Sequence, residues 1–458
     1  MAKKSVFTMI ALVLALSLLV TACGGNNANN TSNNTAKNEP AANTSTATNT
    51  DKAKEEEPAP KPVTFTIGYA PGDPAVRQAM VSSIKAFSAA YPHITVTDIS
   101  DTGSASYLDW LKTKDAVGEY PDLVELRDVQ VFVEAGRVAE LPSDLYDIFS
   151  SMPELEGKRY VAPIVGNAPQ GIIYSKKAYA DAGVTELPKT YDEFIAIQEK
   201  LKASGISPIV VGGKDIWHMG FWLNKFLMDQ VYADNPDWNS MRTAQQVSFT
   251  DANVVQAMTD YKELFSNYID KGWLSTADNQ TASVLVAGKA AQLFSGPWMF
   301  TQIEEADPSF EFGFYVIPDR NGNTTVLGLP GLAGWSLSAE AAKDADKVEA
   351  MKTFIRFFFE AEQYSNFLKA ANGLPTTAEE ISFEASEQFA DVLNIVNDTS
   401  IKKSLAINNW WGENAIPPQF RNWFYKLMQE MVINNGDVTD YMKQSDVEYD
   451  NQVKANAQ

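Results

Sequence analysis

Val63-Thr64-Phe65-Thr66-Ile67-Gly68-Tyr69, ended by Pro71-Gly72-Asp73-Pro74, opens the part of the chain that can build a core. Apolar residues alternate with small or polar ones, the period of a strand, and the Pro-Gly-Asp-Pro run stops it. Val76, Met80, Ile84 and Phe87 then recur at three and four residues, the spacing of a helix's buried face, with Asp73 before Pro74 as cap and first turn. The same reading gives a strand over 94–99, a helix over 107–116, a strand over 123–126 and a helix over 129–135. Strand and helix in alternation predict α/β architecture, a parallel sheet covered by helices. Ligands of such sheets bind beyond the carboxyl ends of the strands, which directs attention to the turns at Asp73, Asp101 and Glu125 to Asp128.

Downstream, a second α/β unit begins near Ile172. Ile172-Ile173-Tyr174 reads as a strand, and a short helix ends at Gly183. Thr190 with Glu193 forms a capping box for a helix that turns Phe194, Ile197 and Leu201 inward and stops at Gly205. A short strand, 209–211, follows Pro208. Further helices are legible over 251–268, 343–359, 362–371 and 418–434. With 458 residues, 45% of them hydrophobic, the chain exceeds what one core normally supports, so two domains are expected.

Upstream, Lys3 and Lys4 precede an apolar run from Val6 to Val20, too short to span a hydrocarbon core and therefore a signal peptide over residues 1–22. Leu19-Val20-Thr21-Ala22-Cys23 resembles a bacterial lipobox, in which the Cys receives the lipid; Cys23 is the only cysteine, so no internal disulfide forms. Residues 24–62 contain no Val, Ile, Leu, Met or aromatic side chain and predict a disordered tether following the lipidated Cys23. Its r.m.s. reach is about 35 Å.

The balance of 37 Lys plus Arg against 58 Asp plus Glu, a formal charge of −21 with no basic run, argues against nucleic acid as a partner. Two histidines, His93 and His218, leave little for a multi-histidine metal site, and neither a metal nor a cofactor is expected. Gly212-Gly213-Lys214-Asp215 lacks the spacing of a P-loop, no Gly-x-Ser-x-Gly occurs, and Asp319, Asn321 and Asn323 make a turn, since Thr324 and Pro330 stand where a calcium loop requires Gly and Glu. Tryptophan stands out: Trp217 and Trp222 follow Gly212-Gly213, Trp298 follows Gly296-Pro297, Trp335 follows Gly334, and Trp410 and Trp411 precede Gly412. An indole beside turn-formers offers a broad apolar face with one N–H, the complement of a pyranose ring. Trp110, Trp238 and Trp273 read as packing, Trp423 as either; His218 is a candidate hydrogen-bond donor beside Trp217.

The chain resembles the extracellular solute-binding proteins of family 1, the maltose-binding-protein-like receptors of ABC importers. Tyr91-Pro92-His93-Ile94-Thr95-Val96, Pro121-Asp122-Leu123-Val124, Ile173-Tyr174-Ser175-Lys176, Leu187 to Phe194, Ala287 to Ala291, Gly296-Pro297-Trp298 and Gly373-Leu374-Pro375 carry the resemblance in this order. Ser175 departs from the family's usual Asn and Leu123 from its Val or Ile, both away from the expected site. The resemblance implies two doubly wound α/β lobes of the periplasmic-binding-protein type, class II, hinged by two or three crossing segments near 167–171, 316–318 and 372–375. The lobes would then be 63–168 plus 318–372 and 172–316 plus 376–458. It implies a saccharide held between them by Asp73, Glu125, Asp128, Trp217, Trp222, Trp298, Trp335 and Trp411, with no catalytic residue. Its implied partners are the transmembrane subunits of an ABC permease and, through lipid on Cys23, the outer face of the cell membrane; the protein would act as a monomer.

Two other readings stay open. The 58 acidic residues allow a two-carboxylate glycosidase. An anionic solute would need converging cations, for which Arg127 and Lys214 are the nearby candidates.

Overall fold

A computed structural model of the chain describes residues 60–456, apart from 71–73, 102–105, 328–332, 385, 405–406, 408, 410–411 and 418. The signal peptide over 1–22, the lipidation site at Cys23, the tether up to residue 59, and the candidate site residues Asp73 and Trp411 lie outside the described residues. The strands are β1 (Val63–Gly68), β2 (Ile94–Asp98), β3 (Leu123–Leu126), β4 (Ala162–Pro163), β5 (Gly171–Ser175), β6 (Ser207–Val210), β7 (Ala290–Ser295), β8 (Phe312–Tyr315), β9 (Thr325–Leu327), β10 (Gly334–Leu337) and β11 (Lys402–Ser404). They form two main sheets, ordered β2-β1-β3-β10-β4 and β6-β7-β5-β8, each the centre of one α/β lobe.

In the first sheet β1 runs parallel to β2 and β3, as the alternation of strand and helix predicts. The sheet is nevertheless mixed, because β10 is antiparallel to both β3 and β4. The reason is where the chain enters: Gly334, the first residue of β10, sits opposite Leu126, the last of β3, so the strand arrives at the end where β3 leaves. The second sheet repeats this arrangement. β6 and β7 are parallel, while β5 is antiparallel to β7 and begins at Gly171 opposite Ser295. In each sheet, then, a strand coming from the other lobe starts at the carboxyl end of its neighbour, and these ends are the ligand-binding edge of such sheets.

Burial follows from the two-residue period of the strands. Phe65, Ile67 and Leu123 pack with Trp335, Phe354 and Phe358 in the core of the first lobe. In the second sheet Ile172 joins one core, with Trp222, Phe294 and Tyr261, and Ile173 joins another on the opposite face, with Leu293, Phe300 and Phe312. A sheet covered on both faces needs such continuous apolar runs.

Among the described residues the chain changes lobe three times. The first follows β4, and its Gly166 N–H donates to the Leu374 carbonyl at 2.9 Å, so two passing segments lie side by side. The second falls later than 316–318. Residues 319–327 stay with the second lobe, since Arg320 pairs with Asp192 and Asp260, Val326 joins the core, and β9 pairs with β11. The Asp319 carboxylate accepts the N–H groups of Asn321 and Asn323, each at 2.8 Å, and this turn reverses the chain before it can cross. The third passage is also later than residue 375: Thr376 Oγ1 donates to the Pro163 carbonyl at 2.6 Å and Ile381 lies in the first core, whereas Phe389 lies in the second. A helix over Val438–Asn456, too polar to stand out in the sequence, is tied down by Arg242, which reaches Asp446 and Asp450 at 2.8 Å each. Among the described residues no helix is long and apolar enough to cross a membrane.

Candidate functional site

The first lobe brings a polar group to the carboxyl ends of its strands. Glu125, on β3, is buried; Oε2 accepts the Ala70 N–H at 3.0 Å and Oε1 accepts Arg127 Nε at 2.9 Å. The negative charge of Glu125 holds the Arg127 guanidinium still more firmly protonated than usual. Tyr107 donates its hydroxyl to the Glu125 carbonyl at 2.8 Å and stacks on Trp110, with ring centroids 5.5 Å apart; burial pushes its hydroxyl well above the ordinary phenol range. Arg77 donates to the Asp101 carbonyl at 2.7 Å, and Asp101 itself is buried. At the next turn Asp128 meets Arg421 of the second lobe at 3.0 Å. A buried carboxylate is tolerated when paired and hydrogen-bonded, and Glu125 and Asp128 both meet that condition within the protein.

The second lobe contributes aromatic surface. After β6 the chain passes through Gly212 and Gly213, where a Cβ would lie 2.7 Å from the Asp278 backbone and 2.2 Å from the Trp273 ring, so only glycine allows this close approach. It then presents Trp217, which is 45% exposed. Phe221, one turn on, meets Trp217 edge-on at 5.5 Å and Trp298 at 5.5 Å, so three rings form a row. Behind the row, the fully buried His218 places Nδ1 2.7 Å from Asp278 Oδ1, and the Asp278 N–H donates to Asp215 Oδ2 at 2.7 Å. Trp298 follows β7, and a Cβ on Gly296 would come within 2.0 Å of its indole; the ring therefore lies back over its own backbone.

One helix connects the two groups. Phe420–Ile433 carries Arg421, which pairs with Asp128, and one turn later Tyr425, whose hydroxyl lies 2.5 Å from where a Cβ of Gly220 would stand. The aromatic row and the paired carboxylate thus share a supporting element at the lobe junction.

Of the expected site residues, Glu125 and Asp128 stand at the ends of the first sheet, and Trp217 and Trp298 share the aromatic row. Two expectations are corrected. Trp222 is fully buried against Phe265 and Phe294 in the second core. Trp335 is fully buried in the first, edge-on to Tyr69, Phe354 and Phe358. Neither indole has a face to offer a ligand. His218 supports the row from beneath instead of lining a cavity. Trp238 and Trp273 are buried as packing residues, but Trp110 is half-buried and stacked. Of the two candidate cations, Arg127 is engaged by Glu125, and Lys214 is exposed. Phe221 and Arg421 were not foreseen. The i,i+4 spacing of Phe221 from Trp217 was available as a signal, whereas Arg421 on a mostly apolar helix was not distinguishable from a surface charge. Among the described residues no group of three or more His, Cys, Asp or Glu is placed to hold a metal ion.

Comparisons with known proteins bear on the fold and the family. A multiple sugar-binding protein of Streptococcus mutans is 24% identical over 284 residues, 58% of this chain and 64% of that relative, so the chain matches just under two thirds of the relative's length. A diacetylchitobiose-binding protein of Streptomyces coelicolor is 26% identical over 274 residues, 56% of this chain and 60% of the relative. Among solved structures, a chitin oligosaccharide binding protein superposes with a TM-score of 0.74 at 22% identity, covering 85% of this chain and 99% of that one. A raffinose complex of another solute-binding protein gives 0.64 at 18% identity over 85% and 99%. These likenesses establish the two-lobed fold. Because the family model for the bacterial extracellular solute-binding protein matches residues 72–365, most of the folded part, the chain belongs to that family, the family 1 solute-binding proteins of ABC importers.

Proposed function

We propose that this chain is a lipid-anchored extracellular receptor that closes on a neutral oligosaccharide between its lobes and hands it, chemically unchanged, to the transmembrane subunits of an ABC permease. The observation that carries this reading is the pairing of the row Trp217, Phe221, Trp298 on the second lobe with Glu125 and Asp128 at the strand ends of the first, carboxylates whose charge arginines already compensate. Pyranose C–H faces suit indole and phenyl rings, and sugar hydroxyls suit carboxylates, amides and guanidinium groups that keep spare hydrogen-bonding capacity. A charged solute would need an uncommitted opposite charge, because burying an unpaired ion costs several kcal/mol by order of magnitude. Arg127 and Arg421 are each committed to a carboxylate, which supports a neutral ligand over an anionic one. The relatives whose names mention multiple sugars, diacetylchitobiose and chitin oligosaccharide point the same way.

The remaining parts of the proposal come from the amino-terminal sequence. Lipid on Cys23 would anchor the protein to the outer face of the membrane, and residues 24–62 would tether the lobes within reach of a permease. Closure follows from differential affinity: a ligand that touches both lobes binds the closed arrangement better and shifts the equilibrium toward it. The protein acts as a monomer, without cofactor and without breaking a bond in its ligand.

A thermal-shift panel followed by calorimetry tests the ligand class, using chito-oligosaccharides, raffinose and xylo-oligosaccharides beside glucuronate and a sugar phosphate. At 100 times its dissociation constant a true ligand should stabilise the fold by about 2.7 kcal/mol. Response to the anionic compounds alone would overturn the neutral-sugar reading. Release of reducing ends during incubation would replace it with the glycosidase.

A further inference from the structure

The start of helix Val129–Glu134, just after β3, meets Gly412 and the first turn of helix Phe420–Ile433 across the lobe boundary in polar contacts. Arg421 Nη1 stands 3.0 Å from Asp128 Oδ1, with side chains only 17% and 16% exposed, and the Gly412 N–H donates to Gln130 Oε1 at 2.8 Å. Asp128 and Gln130 belong to the first lobe, where Val129 and Phe132 pack with Leu126; Arg421 belongs to the second, where Phe420 and Phe424 pack with Tyr449. A cavity of about 150 Å³ lies beside the ion pair, walled by Leu108 and Val131 from one lobe and Ile416 and Gln419 from the other. Asp128 also occupies the N-cap position of helix Val129–Glu134, yet makes no capping hydrogen bond. An Asp at that position ordinarily caps; here its carboxylate is turned to the other lobe.

We infer that Asp128 and Arg421, with Gln130 and the Gly412 amide as a second point of contact, form an interlobe clasp that sets the closed-state population and hence the affinity for any solute held between the lobes. This rests on the lobe-closure part of the proposed function but not on the ligand being a sugar. Both contacts join groups on opposite sides of the boundary, so opening the lobes must break them, and they favour only the closed arrangement. The apparent dissociation constant varies inversely with the fraction of competent molecules, so weakening the clasp weakens binding through the closed-state population, and Arg421→Met does so without altering the Asp128 carboxylate that a ligand could touch. Asp128 and Arg421 act here as positioning residues.

The test needs a readout independent of ligand. In a Cys23→Ser background, nitroxides at Val81→Cys on the first lobe and Val447→Cys on the second, both exposed positions, report interlobe distance by pulsed electron paramagnetic resonance. Asp128→Asn and Arg421→Met should each shift the distribution to longer distances, and the double variant should do no more than either single one. The reversed pair Asp128→Arg with Arg421→Asp should restore the short distances and shows that the singles do not act by misfolding. About 0.5 M sodium chloride, which cuts the screening length to roughly 4 Å, should lengthen the distances in the unaltered protein and leave Arg421→Met unmoved. With a sugar from the panel as probe, either single variant should raise the dissociation constant about 5- to 20-fold. Unchanged distances in both single variants, additive effects in the double, or weaker binding from Asp128→Asn with none from Arg421→Met would each overturn the clasp. The last outcome would assign Asp128 to direct ligand contact. Failure of every sugar to bind would strike the proposed ligand and leave the distance result standing.

Discussion

Gly296-Pro297-Trp298 and Gly334-Trp335 look alike in sequence, an indole next to a glycine, and the fold uses them for opposite purposes. At Gly296 the atom that a Cβ would strike belongs to the indole of Trp298, 2.0 Å away, so the glycine makes room for the ring to fold over the chain at a strand end. At Gly334 the atom it would strike is the Ala162 carbonyl oxygen, also 2.0 Å away. There the glycine lets β10 press between β3 and β4, and the indole that follows points into the core. A glycine beside a tryptophan therefore shows that something comes close. It does not show whether that something is the ring or another strand.

The largest effect expected from this contrast is on stability. Trp335→Ala removes an indole packed edge-on against Tyr69, Phe354 and Phe358 and should cost about 3–5 kcal/mol of folding stability in denaturant titration. Affinity per folded molecule should change little. A loss of affinity out of proportion to the loss of fold would return Trp335 to the ligand site. Trp298→Ala should behave the other way. Its ring is half-buried, so the melting temperature should fall modestly, while binding of the panel sugar should weaken by about 2 kcal/mol, roughly 30-fold, as for an aromatic anchor at an interface centre. Calorimetry giving an unchanged dissociation constant would remove Trp298 from the site and with it the parallel drawn here.

How far the sequence could be read depended on whether a feature is local. The alternation from Val63 to Ile67 and the three-and-four spacing from Val76 to Phe87 set β1 and the first helix, because period and burial are properties of neighbours along the chain. The cap at Thr190 was equally local, and its first bond forms, the Glu193 N–H donating to Thr190 Oγ1 at 3.2 Å, whereas the Glu193 carboxylate accepts the N–H of Lys189, one residue before the cap, at 2.7 Å. The direction of β10 was not legible, since it depends on which lobe the chain has just left. The crossing that the resemblance places near 316–318 falls later for the same kind of reason: Asp319 turns the chain back and Arg320 holds it to the second lobe through Asp260. In the candidate site, the place of Glu125 at a strand end was legible, whereas its pairing with Arg127 and that of Asp128 with Arg421 are properties of the folded molecule.

The smallest effect sharpens the same comparison at one helix. The aromatic row and the second core take consecutive residues, Phe221 and Trp222, and helical geometry separates them: within the α-helix Met219–Leu227 successive side chains point roughly 100° apart. Phe221 therefore sides with Trp217 and Trp298, while Trp222 turns to Phe265 and Phe294. Phe221→Ala should weaken sugar binding by about 1 kcal/mol, near fivefold, because it removes the ring that braces the two outer indoles, whose own edges remain available to the ligand. Phe221→Leu should bring back part of that by restoring apolar volume without the ring. If Phe221→Ala instead lowered stability and left affinity alone, the row would be no more than the upper layer of the core, and the division between the two faces of this helix would fall.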